Sequence, residues 1–203
     1  MTVFIEGLRT RLRPLTNTDI GPRYLGWVND YEVTKDLVGL LFPVSEGDLE
    51  GYLSRFEDSK SNFAFAIIDK ESDVHIGNVT LNHINWIHRT ADTGIMIGDK
   101  SFWGNGYASE AWALVVDYAF NRLVLRKLTA GVVSGNRASL KALQNLGFVI
   151  EGEFKEEVFM MGELRDVYRL GLIRAWGNQP RCHTIQEMMK MKKSDLLDFL
   201  EHR

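Results

Sequence analysis

Residues 102–112 read FWGNGYASEAW, and they constrain the fold more than any other stretch of the chain. Ahead of them, TADTGIMIG (90–98) alternates like a strand. After them, Ala108, Ala111, Trp112, Val115, Tyr118 and Ala119 recur at the spacing of one buried helix face. Gly104 and Gly106 therefore sit in a tight strand-to-helix loop. Such a loop aims unpaired N–H groups outward at the positive end of a helix, and glycine lets a ligand come close to the backbone. A plain turn satisfies an isolated G-x-G as well. Two phosphate-binding fingerprints each lack a required residue: the dinucleotide motif needs Gly or Ala where Ser109 stands, and a Walker loop needs a lysine that GNGYAS does not contain. A seat for a pyrophosphate that follows neither fingerprint remains.

The other segments supply the layers. GLRTRLRPL (7–15) alternates up to Pro14 and reads as a first strand anchored by Leu8, Leu12 and Leu15, with a helix start at Thr16 to Asp19. Between Ile20 and Asp58 two helical stretches are broken around Gly39 to Ser45, where Ser45 is placed to cap the helix carrying Leu49, Tyr52, Leu53 and Phe56. These helices are expected to form a lid. FAFAIID (63–69) and HIGNVTLNHI (75–84) flank the polar KESDV as a hairpin, and KLTAGVV (127–133) is apolar enough for a strand covered on both faces. NRASLKALQNLGF follows as a helix with Asn136 at its start, Leu140, Leu143 and Leu146 on one side, and Gly147 at the left-handed C-terminal position. A last hairpin turns at Gly162. This order gives a mixed α/β layer structure with residues 1–176 as one domain. A helical extension, 177–203, opens at a Thr184/Glu187 capping box and carries Met188, Met189 and Met191.

Composition excludes several partners. The 203 residues carry 24 Lys and Arg against 27 Asp and Glu, a net charge of -3, so the clustered basic face that nucleic acid requires is not expected. Cys182 stands alone, which rules out an internal disulfide and a cysteine metal cluster, and no metal is expected. No apolar run reaches the roughly 18 residues of a membrane span, so neither membrane attachment nor export is expected and the location should be cytoplasmic. Open strand edges near the C-terminus leave room for a homodimer. His83 and His88 flank INWI in a hairpin and read as solvent-facing.

Taken in order, GIMIGDKSFWGNGYASEA, NRASLKALQNLGF and EGEF…GELRDVYRLGLI closely resemble the GNAT family of N-acetyltransferases, in the branch holding ribosomal-protein N-terminal acetyltransferases and bacterial amino-sugar acetyltransferases. LRTRLRPLTNTDI and WVNDYEV are similar to the same branch, so the resemblance covers roughly residues 7–176. It implies a three-layer fold in which helices flank a central mixed, splayed sheet. Acetyl-CoA would lie between two parting parallel strands, here 90–98 and 127–133. Main-chain groups of Ile95, Met96 and Ile97 would pair with the pantetheine arm like an added strand. The loop formed by Trp103, Gly104, Asn105, Gly106, Tyr107 and Ala108 would hold the pyrophosphate. Asn136 would contact the cofactor or order the catalytic site, or else simply cap its helix, while Arg137 and Lys141 would lie near the adenosine phosphate or else be solvated helix charges.

Acetyl transfer to nitrogen needs a neutral amine, a stabilised oxyanion and a proton for the departing thiolate. An α-amino group has a reference pKa of about 7.7–8.0 against about 10.4 for lysine, so a carboxylate acting through water suffices for the former. The resemblance implies Asp92 as that base, with Glu156 and Glu157 as alternatives, and a main-chain N–H of Met96 or Ile97 facing the oxyanion. Many family members use a tyrosine acid at the position of Leu143, which has no proton to give; Ser139, as in the N-terminal acetyltransferase branch, takes that place. The expected function is acetyl transfer, by direct attack in a ternary complex, to a primary amine of a small molecule such as a nucleotide-linked amino sugar. A protein N-terminus is the alternative acceptor, and a non-catalytic acyl-CoA sensor the alternative role. Acceptor choice is expected to rest with the 20–58 helices, including Trp27, Asn29 and Asp30, and with the 155–165 hairpin.

Overall fold

The computed structural model describes residues 3–174; the boundary at 176, the 177–203 extension and Cys182 lie outside the described residues. Its centre is one eight-stranded sheet in the order β1-β2-β3-β4-β5-β6-β8-β7. The strands are β1 (Ile5–Glu6), β2 (Thr10–Pro14), β3 (Phe63–Asp69), β4 (His75–Asn85), β5 (Thr90–Ile97), β6 (Lys127–Val133), β7 (Val149–Met160) and β8 (Glu163–Ile173). Every neighbouring pair is antiparallel except β5 and β6. Among the described residues no helix is long and apolar enough to cross a membrane.

Alternation along β3 divides the core in two. Phe65 and Ile67 face α4 (Tyr107–Asp117), which buries Ala111, Trp112, Leu114 and Val115, while α5 (Arg137–Asn145) adds Leu143 to the same layer. Ala64, Ala66 and Ile68 face the opposite way, against α1 (Pro22–Val28), α2 (Tyr31–Thr34) and α3 (Glu46–Leu53). Small residues on that side of β3 let Tyr24, Trp27 and Leu53 come down onto the sheet. Two faces each covered by helices make three layers.

Local signals set the element ends. Ser45 caps α3, with its hydroxyl accepting the Asp48 N–H and the Asp48 carboxylate accepting the Ser45 N–H in return. Gly147 closes α5 at φ +91°, and Met161 and Gly162 turn the last hairpin with φ +53° and +81°. Thr16 to Asp19 starts only a single 3-10 turn, and its Asp19 carboxylate grips Arg13 at 2.7 and 2.5 Å. Three expectations change. Leu8 is 57% exposed, because Gly7 N–H bonds Thr10 O in the turn from the unanticipated β1. The first helical stretch splits at Asn29–Asp30, where the Asp30 side chain starts α2. β6 is covered along its length on one face only; on the other, Thr129 is half-buried and Gly131 exposed, and Val133 is buried against Met160 and Val167.

Candidate active site

β5 and β6 pair only where Thr90, Ala91 and Asp92 meet Lys127, Leu128 and Thr129. Beyond that point β5 stays with β4 as far as Ile97, and β6 stays with β8 as far as Val133. The two parallel strands therefore part into a wedge, closed at Asp92 and open toward the loop ahead of α4. Main-chain direction alternates along a strand, and Gly98 N–H bonds Ile76 O across the β4 side at 2.9 Å. Gly94 and Met96 share that direction, so Ile95 and Ile97 present their main chains to the wedge. Met96 differs from the sequence reading in this respect: its main chain is engaged with β4, and its side chain packs beneath the α1–α3 layer. Ile97 O already accepts the Trp103 indole N–H at 2.7 Å, tying the mouth of the wedge to the loop.

At that mouth Gly104 and Gly106 have φ of +73° and +82°, the left-handed region that favours glycine. The first intrahelical bond of α4 runs from Glu110 N–H to Gly106 O at 3.0 Å. The N–H groups of Tyr107, Ala108 and Ser109 thus lack helical acceptors and stand at the positive helix end. Two residues that sequence reasoning missed brace this loop. Arg9 donates from Nη1 to Asn105 O at 2.5 Å and lies 5.0 Å over the Tyr107 ring. Glu110 accepts Arg9 N–H at 2.8 Å, Thr10 N–H at 3.0 Å and the Thr10 hydroxyl at 3.0 Å, locking α4 to β2. A carboxylate inside the otherwise apolar helix pattern was the available hint. Tyr107 turns its hydroxyl inward, donating to Asp69 at 3.0 Å, so this residue offers the loop its main chain alone.

Asp92 occupies the closed end, with its side chain on the face away from α4. Burial pushes its carboxyl above the usual carboxylate range, while the Thr129 hydroxyl, bonded at 3.0 Å, Arg169 and His83 pull the other way. Arg169 Nη1 is 3.7 Å from the Asp92 carboxylate. A hollow of about 430 Å³ beside it is lined by His83, His88, Thr90, Lys127 and Thr129 among others. His83 reaches it from a bulge in β4, where its φ is +51°, and both histidines are exposed.

The remaining candidates stand apart from Asp92. Asn136 caps α5, its side chain accepting Ser139 N–H at 3.1 Å. Both belong to the open end: four residues of β6 separate Thr129 from Val133, roughly 13 Å at about 3.3 Å per residue. Leu143 is fully buried. Arg137 and Lys141 are exposed on α5. Glu156 and Glu157 lie on β7, with β8 between them and β6, and Glu156 N–H is held by Asp166 at 2.9 Å. Trp27 is core at 7% exposure, Asn29 staples Val44 with bonds of 2.8 and 2.9 Å, and Asp30 pairs with Lys100 at 2.5 Å.

A parallel pair that parts beside a helix start, with glycines at the junction, is the arrangement that the resemblance to GNAT acyltransferases implies. Residues 9–149 match the family described as an acetyltransferase (GNAT) domain, and the chain belongs to that family. It is similar, at 32% identity over 187 residues, to the uncharacterized N-acetyltransferase p20 of Bacillus licheniformis, covering 85% of this chain and 96% of that one. It is 30% identical over 128 residues to a spermidine N(1)-acetyltransferase of Vibrio cholerae, covering 63% and 73%. The crystal structure of a Vibrio cholerae spermidine N-acetyltransferase in complex with CoA and spermine superposes with a TM-score of 0.74 at 28% identity, covering 81% and 95%. The protein is thus an acyltransferase of the GNAT family, and CoA is the ligand held by its Vibrio cholerae neighbour.

Proposed function

We propose that the protein acetylates a primary amine of a small molecule by direct attack within a ternary complex. The observation that carries this reading is the wedge between β5 and β6, entered from opposite sides. The loop and α4 offer N–H donors on one side, and the Asp92 carboxylate lies on the other. The pantetheine arm would pair with the main chain of Ile95 and Ile97, and the pyrophosphate would rest on the N–H groups running from Gly104 to Ala108. Asn136 and Lys141, at the open end, would meet the rest of the nucleotide.

The acceptor nitrogen attacks the thioester carbonyl; the C–N bond forms, the C–S bond breaks, and the thiolate leaves with the electron pair. Asp92, directly or through water, takes the proton that the amine sheds. Of the β5 main-chain N–H groups that face the wedge, that of Ile95 rather than of Met96 or Ile97 would face the developing oxyanion, since Ile97 lies at the mouth, five residues or roughly 16 Å from Asp92 at about 3.3 Å per residue. A thiol of reference pKa about 8.5 needs only a weak acid, a role assigned to Ser139 or to solvent at the open end.

Calorimetry with acetyl-CoA, paired with CoA release on amino sugars, peptides and polyamines, tests this assignment. Micromolar binding and acceptor-dependent release are expected. Release with peptides alone would favour a protein N-terminus as acceptor. Binding without release on any amine would make the protein a sensor.

A further inference from the structure

The open face around Asp92 carries an uneven distribution of charge. Most acidic groups there and on the neighbouring hairpin already have a cation. Glu151 binds Lys127 at 2.6 Å, Glu153 and Asp166 share Lys155 at 2.8 and 2.9 Å, and Asp36 and Glu163 each face Arg165 at 3.6 Å. Arg169 is different. Its side chain is 51% exposed, its nearest carboxylate is Asp92 at 3.7 Å, and among the described residues its guanidinium makes no hydrogen bond. Five donors therefore remain to be used.

The backbone around it keeps the guanidinium uncovered. On β6 the residue opposite Arg169 is Gly131, and on β7 it is Gly152. A Cβ at Gly131 would come within 3.1 Å of Arg169 Nη1. A row of glycine, arginine and glycine across three strands leaves a shallow floor with one cation in it, beside the proposed base. A polycationic acceptor needs carboxylates that are free to receive it, and a cation next to the reacting amine repels it. An amine that shares its molecule with an anion meets complementary charges instead: Asp92 for the nitrogen and Arg169 for the anion.

We propose that Arg169 binds an anionic group, a carboxylate or a phosphate, carried by the same molecule as the acceptor amine. This rests on the acetyl-transfer reading above. Arg169 is then an acceptor-binding residue that steers the enzyme away from polyamines, whatever the preference of its relatives.

The test is CoA release at saturating acetyl-CoA with matched acceptors: α-amino acids against their amides, phosphorylated or nucleotide-linked amino sugars against the free sugars, and spermidine. The anionic member of at least one pair is expected to have a KM lower by on the order of 10- to 100-fold, the worth of a charge-assisted hydrogen bond. The pair that shows it distinguishes carboxylate from phosphate. Arg169→Gln should abolish that difference mainly through KM rather than kcat, Arg169→Lys should restore part of it, and Arg169→Glu should lower the KM for spermidine. Equal KM values within every pair, or values unmoved by Arg169→Gln, overturn the inference while leaving acetyl transfer standing. Bound acetyl-CoA with no turnover on any acceptor overturns both.

Discussion

Replacing Glu110 with alanine separates the brace behind the loop from the loop itself. The carboxylate serves four donors at the start of β2 and in the turn before it: Arg9 N–H, Arg9 Nε, Thr10 N–H and the Thr10 hydroxyl. Their costs on removal are unequal. Arg9 is exposed, so its N–H turns to water, and an ion pair this open contributes at most about 1 kcal/mol. Thr10 is fully buried, and its N–H, left without an acceptor, costs about 1–3 kcal/mol. Glu110→Ala should therefore destabilise the fold by about 1–4 kcal/mol. For a domain of this size that lowers Tm by roughly 2–16 °C in a thermal melt followed by circular dichroism. Glu110→Gln keeps one acceptor oxygen and should lose about half as much. Arg9→Ala should cost less than about 1 kcal/mol yet weaken acetyl-CoA in calorimetry, because Asn105 O loses the guanidinium that steadies the loop. Equal losses from Arg9→Ala and Glu110→Ala would show that the ion pair, rather than the buried Thr10 amide, holds α4 to β2.

Three further outcomes follow from the same geometry. Gly106→Val places a branched side chain at φ +82°, where it meets Arg9 at 3.0 Å; strain of about 1–2 kcal/mol and a blocked approach should weaken acetyl-CoA at least tenfold in calorimetry with the fold retained. Gly77→Ala would set a Cβ 2.1 Å from Met96 O, so β5 must shift, and both Tm and acetyl-CoA affinity should fall; a variant with wild-type affinity would show that the wedge tolerates displacement of its own strand. Asp92 has a folded-state carboxyl raised by burial, so its protonated form is the one folding favours. Its contribution to stability is present below the unfolded value and lost as pH rises through the folded one. Asp92→Asn should then lower turnover, remove the acidic limb of the rate profile, which lies above the ordinary carboxylate range, and leave the protein at least as stable at neutral pH. A variant that melts lower at pH 7 would contradict this sign.

Much of the fold was legible because its signals are local. FAFAIID is a short apolar run ahead of a polar turn, so β3 follows from seven residues, although that its two faces feed separate layers of the core does not. Ser45, Gly147 and the two loop glycines announce helix ends through capping and left-handed backbone, which need no partner elsewhere in the chain. The candidate site was legible where backbone makes it and opaque where registration makes it. KLTAGVV reads as buried on both faces, yet Thr129 and Gly131 look out from one of them, because apolar residues record which contacts a strand tolerates rather than which neighbours it has. Main-chain direction is a matter of registration too. The bond from Gly98 to Ile76 turns Met96 toward β4 and gives Ile95 and Ile97 to the wedge, and a shift of one residue would reverse that assignment with no change in pattern. Arg169 is the extreme case. Nothing adjacent to it in sequence marks it, and it reaches Asp92 across Gly131, whose missing Cβ would stand 3.1 Å from its guanidinium, in a sheet whose strand order departs from chain order.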